Sequence, residues 1–426
     1  MTPPANPART RFLAMFALVV AGEMIFALPF HVPRYFRASM LASFDLSNAA
    51  LGDIFAVYGV TAMLAYFPGG ALADRLPARG LLCLSLLATA LGGVYLVTQP
   101  GPAGLALLYG YWGVTTILLF WAAMIRATRV WGGSDAQGRA FGILDGGRGL
   151  AAAAFATLGV WCFSSYAGAG ALDQVLDDSA RRSAMRAVIV YYTVATAAAA
   201  LLVWRWVPRS VEEHGPRPRF ERSAVFEVLR AKVVWLQALV VVAAYCGYKG
   251  LDNYALYAHQ VLGFSETAAA GLGAASAYIR PLAALAAGLI ADRIGIARSV
   301  LALFAVSVLV YGLLGVLSPS AATLHIIYAN LFVSCAAVFA LRGVYFALLE
   351  ESAVPSRLTG TAVGLVSVVG YTPDIFFGAI AGRLLDAAPG AAGHQHYFIL
   401  LALIAIIGAL AATLLLRARA VATTNE

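Results

Sequence analysis

The sequence predicts an all-α membrane protein with twelve transmembrane helices arranged as two six-helix bundles. Of its 426 residues, 61% are hydrophobic and only 12% are charged, and the mean hydropathy is +0.81. Soluble domains typically carry about 25% charged residues. Apolar stretches close to the roughly 20 residues that a helix needs to cross the hydrocarbon core fill nearly the whole chain.

Each apolar stretch is bounded by polar or turn-forming residues, which separates the stretches into twelve predicted spans. The first span follows Arg9 and Arg11, but it is too long for a signal-peptide core and lacks a small-residue cleavage site, so we expect it to be retained. The predicted spans lie at about 12–33, 50–72, 80–98, 104–126, 139–163, 185–207, 233–257, 266–290, 298–317, 323–348, 359–384 and 396–416.

The distribution of basic residues predicts the orientation of the chain. If the N-terminus lies inside, most of the 29 Lys and Arg residues fall on cytoplasmic helix ends and loops. This excess matches the positive-inside rule and predicts that both termini are cytoplasmic in a bacterial inner membrane. The net charge of +8 is then a topology signal, and it implies no nucleic-acid partner.

Two halves of the chain repeat each other. A polar stretch at 208–232 separates six predicted spans from six more, which predicts an N-terminal bundle at 1–207, a cytoplasmic linker and a C-terminal bundle at 233–426. The segment GGALADRLPARG ends the second span, and AGLIADRIGIARS ends the eighth. A second match pairs GRAFG with GTAVG at the starts of spans five and eleven.

The Gly-x-x-x-Asp-Arg-x-Gly/Pro-x-Arg loop after span two, echoed after span eight, resembles the signature of the major facilitator superfamily. Pro77 stands where glycine is usual, and the second copy is weaker at Gly295 and Arg298. We expect Gly70 to let helices approach closely. The resemblance implies a transporter fold in which the loops have gating or structural roles, carried here by Asp74, Arg75, Asp292 and Arg293.

Ionisable residues within the membrane are costly, so they normally face the bundle interior and indicate a transport pathway. Spans three, six, nine and twelve carry none in their central parts, and the superfamily resemblance implies that these four helices face lipid. The central charges in the other spans are Glu23, Asp145, Arg148, Lys249, Asp252, Arg280, Arg342 and Asp374.

Two pairs of these charges are three residues apart on one helix face. Asp145 with Arg148, and Lys249 with Asp252, are therefore expected to neutralise each other locally. We assign a structural role to the first pair. The second pair is equally compatible with a structural and a functional role, since Lys249 is one of only two lysines in the chain.

That pairing leaves Glu23, Asp374, Arg280 and Arg342 without a local partner, and we predict that they form the site. Arginine presents a planar fork that binds carboxylate, sulfonate or phosphate through two hydrogen bonds. An arginine in the middle of helix eight is similar to the anion-binding arginine of monocarboxylate, oxalate and nitrate porters. The predicted substrate-binding residues are Arg280, Arg342, Lys249, Tyr245, Asn253 and Tyr371.

A membrane carboxylate can take up and release protons, and so couple transport to the proton gradient. Glu23 is the first candidate for this role, followed by Asp374 and Asp252, and His31 is a weaker gating candidate. The sequence therefore predicts proton-coupled movement of a small organic anion. The alternatives are anion exchange and efflux of a drug, a metabolite or a carboxylate siderophore.

Other classes of function are less well supported by the sequence. We find no activated serine motif and no His/Glu metal spacing, so no enzyme, metal or cofactor is predicted. His394-Gln-His396 could bind a metal, but we favour solvated loop residues. A receptor that keeps the fold without transporting is possible in principle, but charges on six membrane helices argue against it. We expect a lipid-embedded monomer.

Overall fold

The computed structural model describes residues 7–133, 136–168, 176–209, 222–345, 347–349 and 358–424, and nearly all of them are helical. The α-helices are α1 Pro7–Met24, α2 Val32–Tyr35, α3 Arg37–Ser43, α4 Asn48–Arg75, α5 Ala78–Val97, α6 Pro102–Gly113, α7 Ala122–Gly132, α8 Gln137–Ala167, α9 Asp178–Trp206, α10 Arg222–Arg230, α11 Lys232–Gly250, α12 Tyr254–Gln260, α13 Glu266–Ala277, α14 Ile279–Ile294, α15 Ile296–Val316, α16 Leu324–Val344, α17 Thr359–Gly370, α18 Pro373–Ala387 and α19 Ala391–Thr424.

The number of membrane-spanning helices agrees with the sequence prediction. Within the described residues, eleven helices are long and apolar enough to cross a membrane. A twelfth span is formed by Arg9–Met24 together with Ala27–Tyr35, which are bent by 41° relative to each other. The predicted all-α fold is therefore confirmed.

Several spans are interrupted near their middle, and proline accounts for three of the breaks. Pro29 lies in a π-helical turn at Ala27–His31, Pro281 follows the break between α13 and α14, and Pro373 begins α18. Proline has no amide hydrogen for the carbonyl four residues earlier, so it kinks or breaks a helix. Span seven is broken without proline, by a 3₁₀ turn at Leu251–Asn253.

Four of the membrane charges lie close to these breaks. Lys249 is in the last turn of α11, and Asp374 is in the first turn of α18. A positive charge near a helix C-terminus and a negative charge near an N-terminus are both stabilised by the helix dipole. Arg280 directly follows the break in span eight, and Glu23 precedes the π-helical turn in span one.

Contacts divide the chain into two compact units. Unit 1 comprises Met1–Glu212 with Asp252–Tyr278, and unit 2 comprises Glu213–Leu251 with Ile279–Glu426. Segment Asp252–Tyr278, from the second half of the sequence, thus belongs with the first six spans, and α13 packs on α8. The bundle boundaries inferred from the sequence repeat stay a prediction.

Hydroxyl groups hold the helices of unit 1 together. The Tyr58 hydroxyl lies 2.8 Å from Thr116 Oγ1, and Ser85 Oγ donates to the Thr115 carbonyl oxygen at 2.7 Å. The Trp112 indole nitrogen donates to the Thr89 carbonyl oxygen at 3.1 Å. Side-chain hydrogen bonds of this kind join helices where the surrounding lipid offers no hydrophobic driving force.

The core of unit 2 forms where α19 packs on α11 and α15. Gly408 admits the buried ring of Phe304, because a Cβ atom there would clash with it. The Tyr397 hydroxyl donates to the Gly250 carbonyl oxygen at 2.8 Å, at the end of α11. This bond satisfies a backbone acceptor that has no partner within the helix, because α11 ends at the break in span seven.

We predict that Gly113→Ala destabilises the protein. A Cβ atom at Gly113 would clash with Thr61 and lie 2.7 Å from the backbone oxygen of Tyr58, so α4 and α6 would have to separate. Overpacking of this kind costs about 1–3 kcal/mol. The melting temperature in detergent should fall. The matched control is Gly312→Ala in α15, where no atom of the described residues lies within 4 Å of the added Cβ atom. An equal fall there would contradict the packing argument.

Candidate functional site

Glu23 is the centre of a buried ion cluster in unit 1. Its side chain is only 5% exposed, Arg148 Nε donates to Oε2 at 3.2 Å, and His31 Nε2 lies 3.1 Å from Oε1. A π-helical turn adds one residue to a helical turn, so His31, eight positions on, returns to the face that carries Glu23. Both carboxylate oxygens therefore have partners.

A glycine makes room for the arginine of this cluster. A Cβ atom at Gly22 would lie 2.9 Å from Met124 Sδ and 3.1 Å from Arg148 Cδ. The guanidinium carbon of Arg148 also lies 5.9 Å from the centre of the Phe26 ring. Close packing and a nearby aromatic face thus fix Arg148 against Glu23.

Aromatic side chains surround the π-helical turn. The Phe30 ring is 4.8 Å from the Tyr58 ring, and the Phe26 ring is 6.3 Å from the Trp121 ring. Trp121 ends a second π-helical segment, Val114–Trp121, in span four. The sequence analysis missed these aromatic residues as a group, although π-helical segments frequently occur at functional sites.

The expectation that Glu23 lacks a local partner was wrong. Arg148, which we expected to pair with Asp145, reaches across to Glu23 from α8. Asp145 lies on the exposed side of α8 and has interactions of its own. A buried carboxylate and a buried guanidinium gain more from direct contact than an exposed partner can offer, because solvent screens the exposed charge.

Unit 2 brings together four of the predicted site residues around Asp374. The Tyr245 hydroxyl lies 3.0 and 3.2 Å from the two carboxylate oxygens of Asp374, and Lys249 Nζ is 3.6 Å from Oδ1. The ring of Tyr371 packs edge-on against Tyr245, with 4.9 Å between ring centres. Lys249 was expected to pair with Asp252, and the structure gives it Asp374 as a partner.

The two predicted anion-binding arginines lie on neighbouring helices of unit 2. The guanidinium carbon of Arg342 is 4.0 Å from the centre of the Tyr248 ring, and its buried Nη1 atom has no hydrogen-bond partner among the described residues. Arg280 is only 5% exposed. Helices α14 and α16 approach closely at Gly343, where an added Cβ atom would lie 3.2 Å from Ala284.

Asp252 and Asn253 are buried and belong to unit 1. Arg34 Nε donates to Asp252 Oδ1 at 2.6 Å. The expected pairing of Lys249 with Asp252 stays a prediction, and each of the two has a partner within its own unit. The sequence analysis did not identify Arg34 as a partner of Asp252.

A second ion pair in unit 1 was missed by the sequence analysis. Glu266, at the start of α13, is buried and accepts from Arg181 Nε at 2.8 and 3.1 Å and from the Ser39 hydroxyl. Arg181 also donates to Asp178 at 2.5 Å, but the Asp178 side chain is 86% exposed. The sequence analysis placed Glu266 at the start of predicted span eight and assigned it no role.

Just before the superfamily-like loop after span two, α4 approaches span four at Gly69, whereas Gly70 was expected. A Cβ atom at Gly69 would lie 3.1 Å from the carbonyl oxygen of Leu118, whereas no atom of the described residues lies within 4 Å of such a position at Gly70. Within the described part of the chain, Gly69 and not Gly70 allows the close approach of the helices. Of these two glycines on α4, Gly69 is the one that faces span four.

An arginine from span four caps the helix that carries this loop. Arg126 Nη1 donates to the carbonyl oxygens of Ala73 at 2.5 Å and Leu76 at 3.3 Å. These acceptors at the end of α4 lack partners within the helix. The gating role predicted for the loop charges stays a prediction; all four are exposed, namely Asp74, Arg75, Asp292 and Arg293.

A model of the Major Facilitator Superfamily matches residues 10–377 of this chain. The chain belongs to the Major Facilitator Superfamily. Among the described residues, no three His, Cys, Asp or Glu side chains come close enough together to hold a metal ion. The superfamily membership and the helical fold identify a non-enzymatic transporter.

Two Escherichia coli (strain K12) relatives match nearly the whole chain. Inner membrane protein YihN is 27% identical over 415 residues, which is 95% of this chain and 95% of YihN. Inner membrane protein YqcE is 27% identical over 406 residues, covering 92% of this chain and 91% of YqcE. With the described apolar helices, these relatives indicate a multi-pass inner-membrane protein.

Two solved superfamily structures share the fold. A bacterial homologue of the human lysosomal transporter Spinster, in an inward-facing and unoccupied conformation, has a TM-score of 0.71 and 16% identity, with 97% of this chain and 99% of that chain covered. A mutant of the nucleoside transporter NupG has a TM-score of 0.71 and 12% identity, with 95% and 99% covered. At these identities the likeness concerns the fold alone.

We predict energetic coupling between Glu23 and Arg148. Glu23→Gln and Arg148→Met should each lower the melting temperature, because each leaves a buried partner unsatisfied; breaking such a pair costs about 3–5 kcal/mol. The double variant should lose less than the sum of the two single losses. Thermal unfolding in detergent measures all four proteins.

The matched cycle combines Asp145→Asn with Arg148→Met. Because Asp145 is exposed, its coupling to Arg148 should be much smaller. Larger coupling for Asp145 than for Glu23 would show that the pair three residues apart on α8 dominates after all.

Proposed function

We propose that this transporter moves a small organic anion across the inner membrane by alternating access, coupled to protons. The observation that carries the proposal is the guanidinium of Arg342 in unit 2, whose buried Nη1 atom has no hydrogen-bond partner among the described residues. Buried Lys249 and Arg280 belong to the same unit. Cationic groups within a membrane are stabilised by anions, and an anionic substrate would be such a partner.

Arg342 has the geometry of an anion-binding group. Its guanidinium packs on the Tyr248 ring, and its buried Nη1 has no hydrogen-bond partner among the described residues. A buried donor without an acceptor is costly, and a carboxylate, sulfonate or phosphate oxygen would satisfy it. Buried Arg280, on the helix that packs against α16, provides a second guanidinium.

Asp374 offers a physical route to proton coupling. While it is ionised, it holds Lys249 at 3.6 Å and accepts from the Tyr245 hydroxyl. Protonation removes the charge that attracts Lys249, so the ammonium becomes available to an incoming anion. Release of the proton restores the pair and displaces the anion. Glu23, held by Arg148 and His31, is a second carboxylate for this role.

Alternating access requires a closed side, and unit 1 contains an arrangement suited to it. Asp252 and Glu266, from spans seven and eight, bind Arg34 and Arg181, from spans one and six. We define these four residues as the clasp. We propose that the clasp closes the outer side in an inward-facing state, the state reported for the Spinster homologue.

The clasp lies on the outer side only if both termini are cytoplasmic, and we propose this orientation as well. The excess of Lys and Arg on one set of loops supports cytoplasmic termini, because basic loops are retained inside. The exposed loop charges of spans two and eight then lie at the cytoplasmic surface. We further propose that the protein acts as a monomer, since each unit contains its own charge clusters.

We predict that Arg342→Gln and Arg280→Gln lower anion uptake about tenfold or more, because each removes a charged two-pronged donor. Arg342→Lys should remain impaired, since an ammonium cannot make the fork. The measurement is uptake of labelled carboxylates, sulfonates and phosphate esters into proteoliposomes, with and without an imposed proton gradient. The matched control is Arg417→Gln, at an exposed arginine.

Asp374→Asn separates transport from coupling in the same assay. It should abolish gradient-driven accumulation while anion exchange across the vesicle membrane continues. If no anion moves, or if Arg342→Gln and Arg280→Gln transport like the parent, the anion proposal fails and efflux of neutral or cationic compounds becomes the better description.

We predict that Glu266→Gln opens the clasp. Removing a buried partner of Arg181 costs about 3–5 kcal/mol, whereas Asp178→Asn removes an exposed partner of the same arginine and should have little effect. The readout is the labelling rate of Thr267→Cys, a buried neighbour of Glu266, by a membrane-impermeant maleimide in a background without native cysteines. Equal labelling in the two variants would rule out the clasp.

A further inference from the structure

A groove of about 840 Å³ runs along unit 1 between α1 and α8, away from the charge clusters. Its rims carry exposed apolar side chains, including Phe16, 44% exposed, and Leu150, 55% exposed. Small residues of α8 lie along it, among them Gly147 and Ala151. In a membrane protein, a groove with such walls is filled by hydrocarbon chains of lipid.

One end of the groove is basic. Arg11 and Arg139 both line it there, and the described residues that line the groove include no acidic side chain. Arg11 is held in place by Trp131: Arg11 Nη2 donates to the Trp131 carbonyl oxygen at 2.9 Å, and the indole nitrogen donates back to the Arg11 carbonyl oxygen at 2.7 Å. Tryptophan with arginine is typical of the headgroup level of a membrane.

The length of the groove fits one leaflet. Arg139 and Ala154 both line it and belong to α8, and a rise of 1.5 Å per residue separates them by roughly 22 Å. A bilayer including its headgroups is about 40–45 Å thick, so one leaflet is roughly 20–22 Å. The basic end therefore lies at headgroup level when the apolar part lies among acyl chains.

We propose that this groove binds an anionic phospholipid of the inner leaflet. The headgroup phosphate lies between Arg11 and Arg139, and one acyl chain runs along Gly147 and Ala151 towards the middle of the membrane. Guanidinium groups bind phosphate through charge-assisted hydrogen bonds, and basic pockets between membrane helices on the cytoplasmic side are suited to acidic headgroups. The leaflet follows from the orientation proposed above; the lipid site does not depend on the transported substrate.

The combination of two arginines and an apolar wall favours an acidic phospholipid over other occupants of the groove. A lipid without net charge would fill the apolar part equally well but would leave the two positive charges uncompensated. A soluble phosphate compound would satisfy the arginines but would leave the apolar part unfilled. An acidic phospholipid satisfies both ends of the groove.

The test is native mass spectrometry of the full-length protein in detergent, titrated with phosphatidylglycerol or phosphatidylcholine that carry identical acyl chains. We expect one tightly bound phosphatidylglycerol per protein. Arg139→Gln should weaken its binding about tenfold, the scale of one lost charge-assisted hydrogen bond, and leave phosphatidylcholine unchanged. Arg139→Lys should retain most of the binding. Arg139 is exposed, so these variants should fold.

The matched control is Arg298→Gln, at an exposed arginine of unit 2 outside the groove. Ala151→Leu, which fills the apolar part, should weaken both lipids. Glycerol phosphate, as a soluble headgroup, should neither bind nor displace phosphatidylglycerol. Equal affinities for the two lipids, equal effects of Arg139→Gln and Arg298→Gln, or displacement by glycerol phosphate would each overturn the proposal.

Discussion

The low polarity of the bilayer core is the constraint on which the rest of this structure depends. A charged side chain at the centre of a membrane helix costs at least about 2.5–3.5 kcal/mol, and backbone groups there must find partners within the protein. Four of the charges of this transporter, Glu23, Lys249, Arg280 and Asp374, lie beside helix breaks in spans one, seven, eight and eleven. Proline or a 3₁₀ turn makes each break, and helix ends favour the charge at Lys249 and Asp374.

The two units handle their charges differently. Among the described residues of unit 1, the buried carboxylates each have an arginine: Glu23 has Arg148, Asp252 has Arg34, and Glu266 has Arg181. The described central parts of the unit 2 spans contain three cations, Lys249, Arg280 and Arg342, and one carboxylate, Asp374. This contrast fits the proposal that an anion binds in unit 2.

The clasp is the part of the proposal that concerns conformational change. Asp252 and Glu266 come from the second half of the sequence, yet they pack with the first six spans. Span seven also connects the two charge systems, because Lys249 pairs with Asp374 while Asp252, three residues later, binds Arg34. Lys249 and Asp252 therefore lie close together along the chain, and each has a partner within its own unit.

The sequence by itself determined the twelve spans, the superfamily fold and the identity of nearly every membrane charge, because hydrophobic length and a charge in an apolar run are local properties. It also predicted that Tyr245, Lys249, Tyr371 and Asp374 contribute to one site. Only the tertiary structure decided the partners. Arg148 meets Glu23 across 125 positions, and Arg34 meets Asp252 across 218. Helical periodicity shows which residues share a face, but the pairing of faces depends on helix packing, rotation and the π-helical turns that shift register.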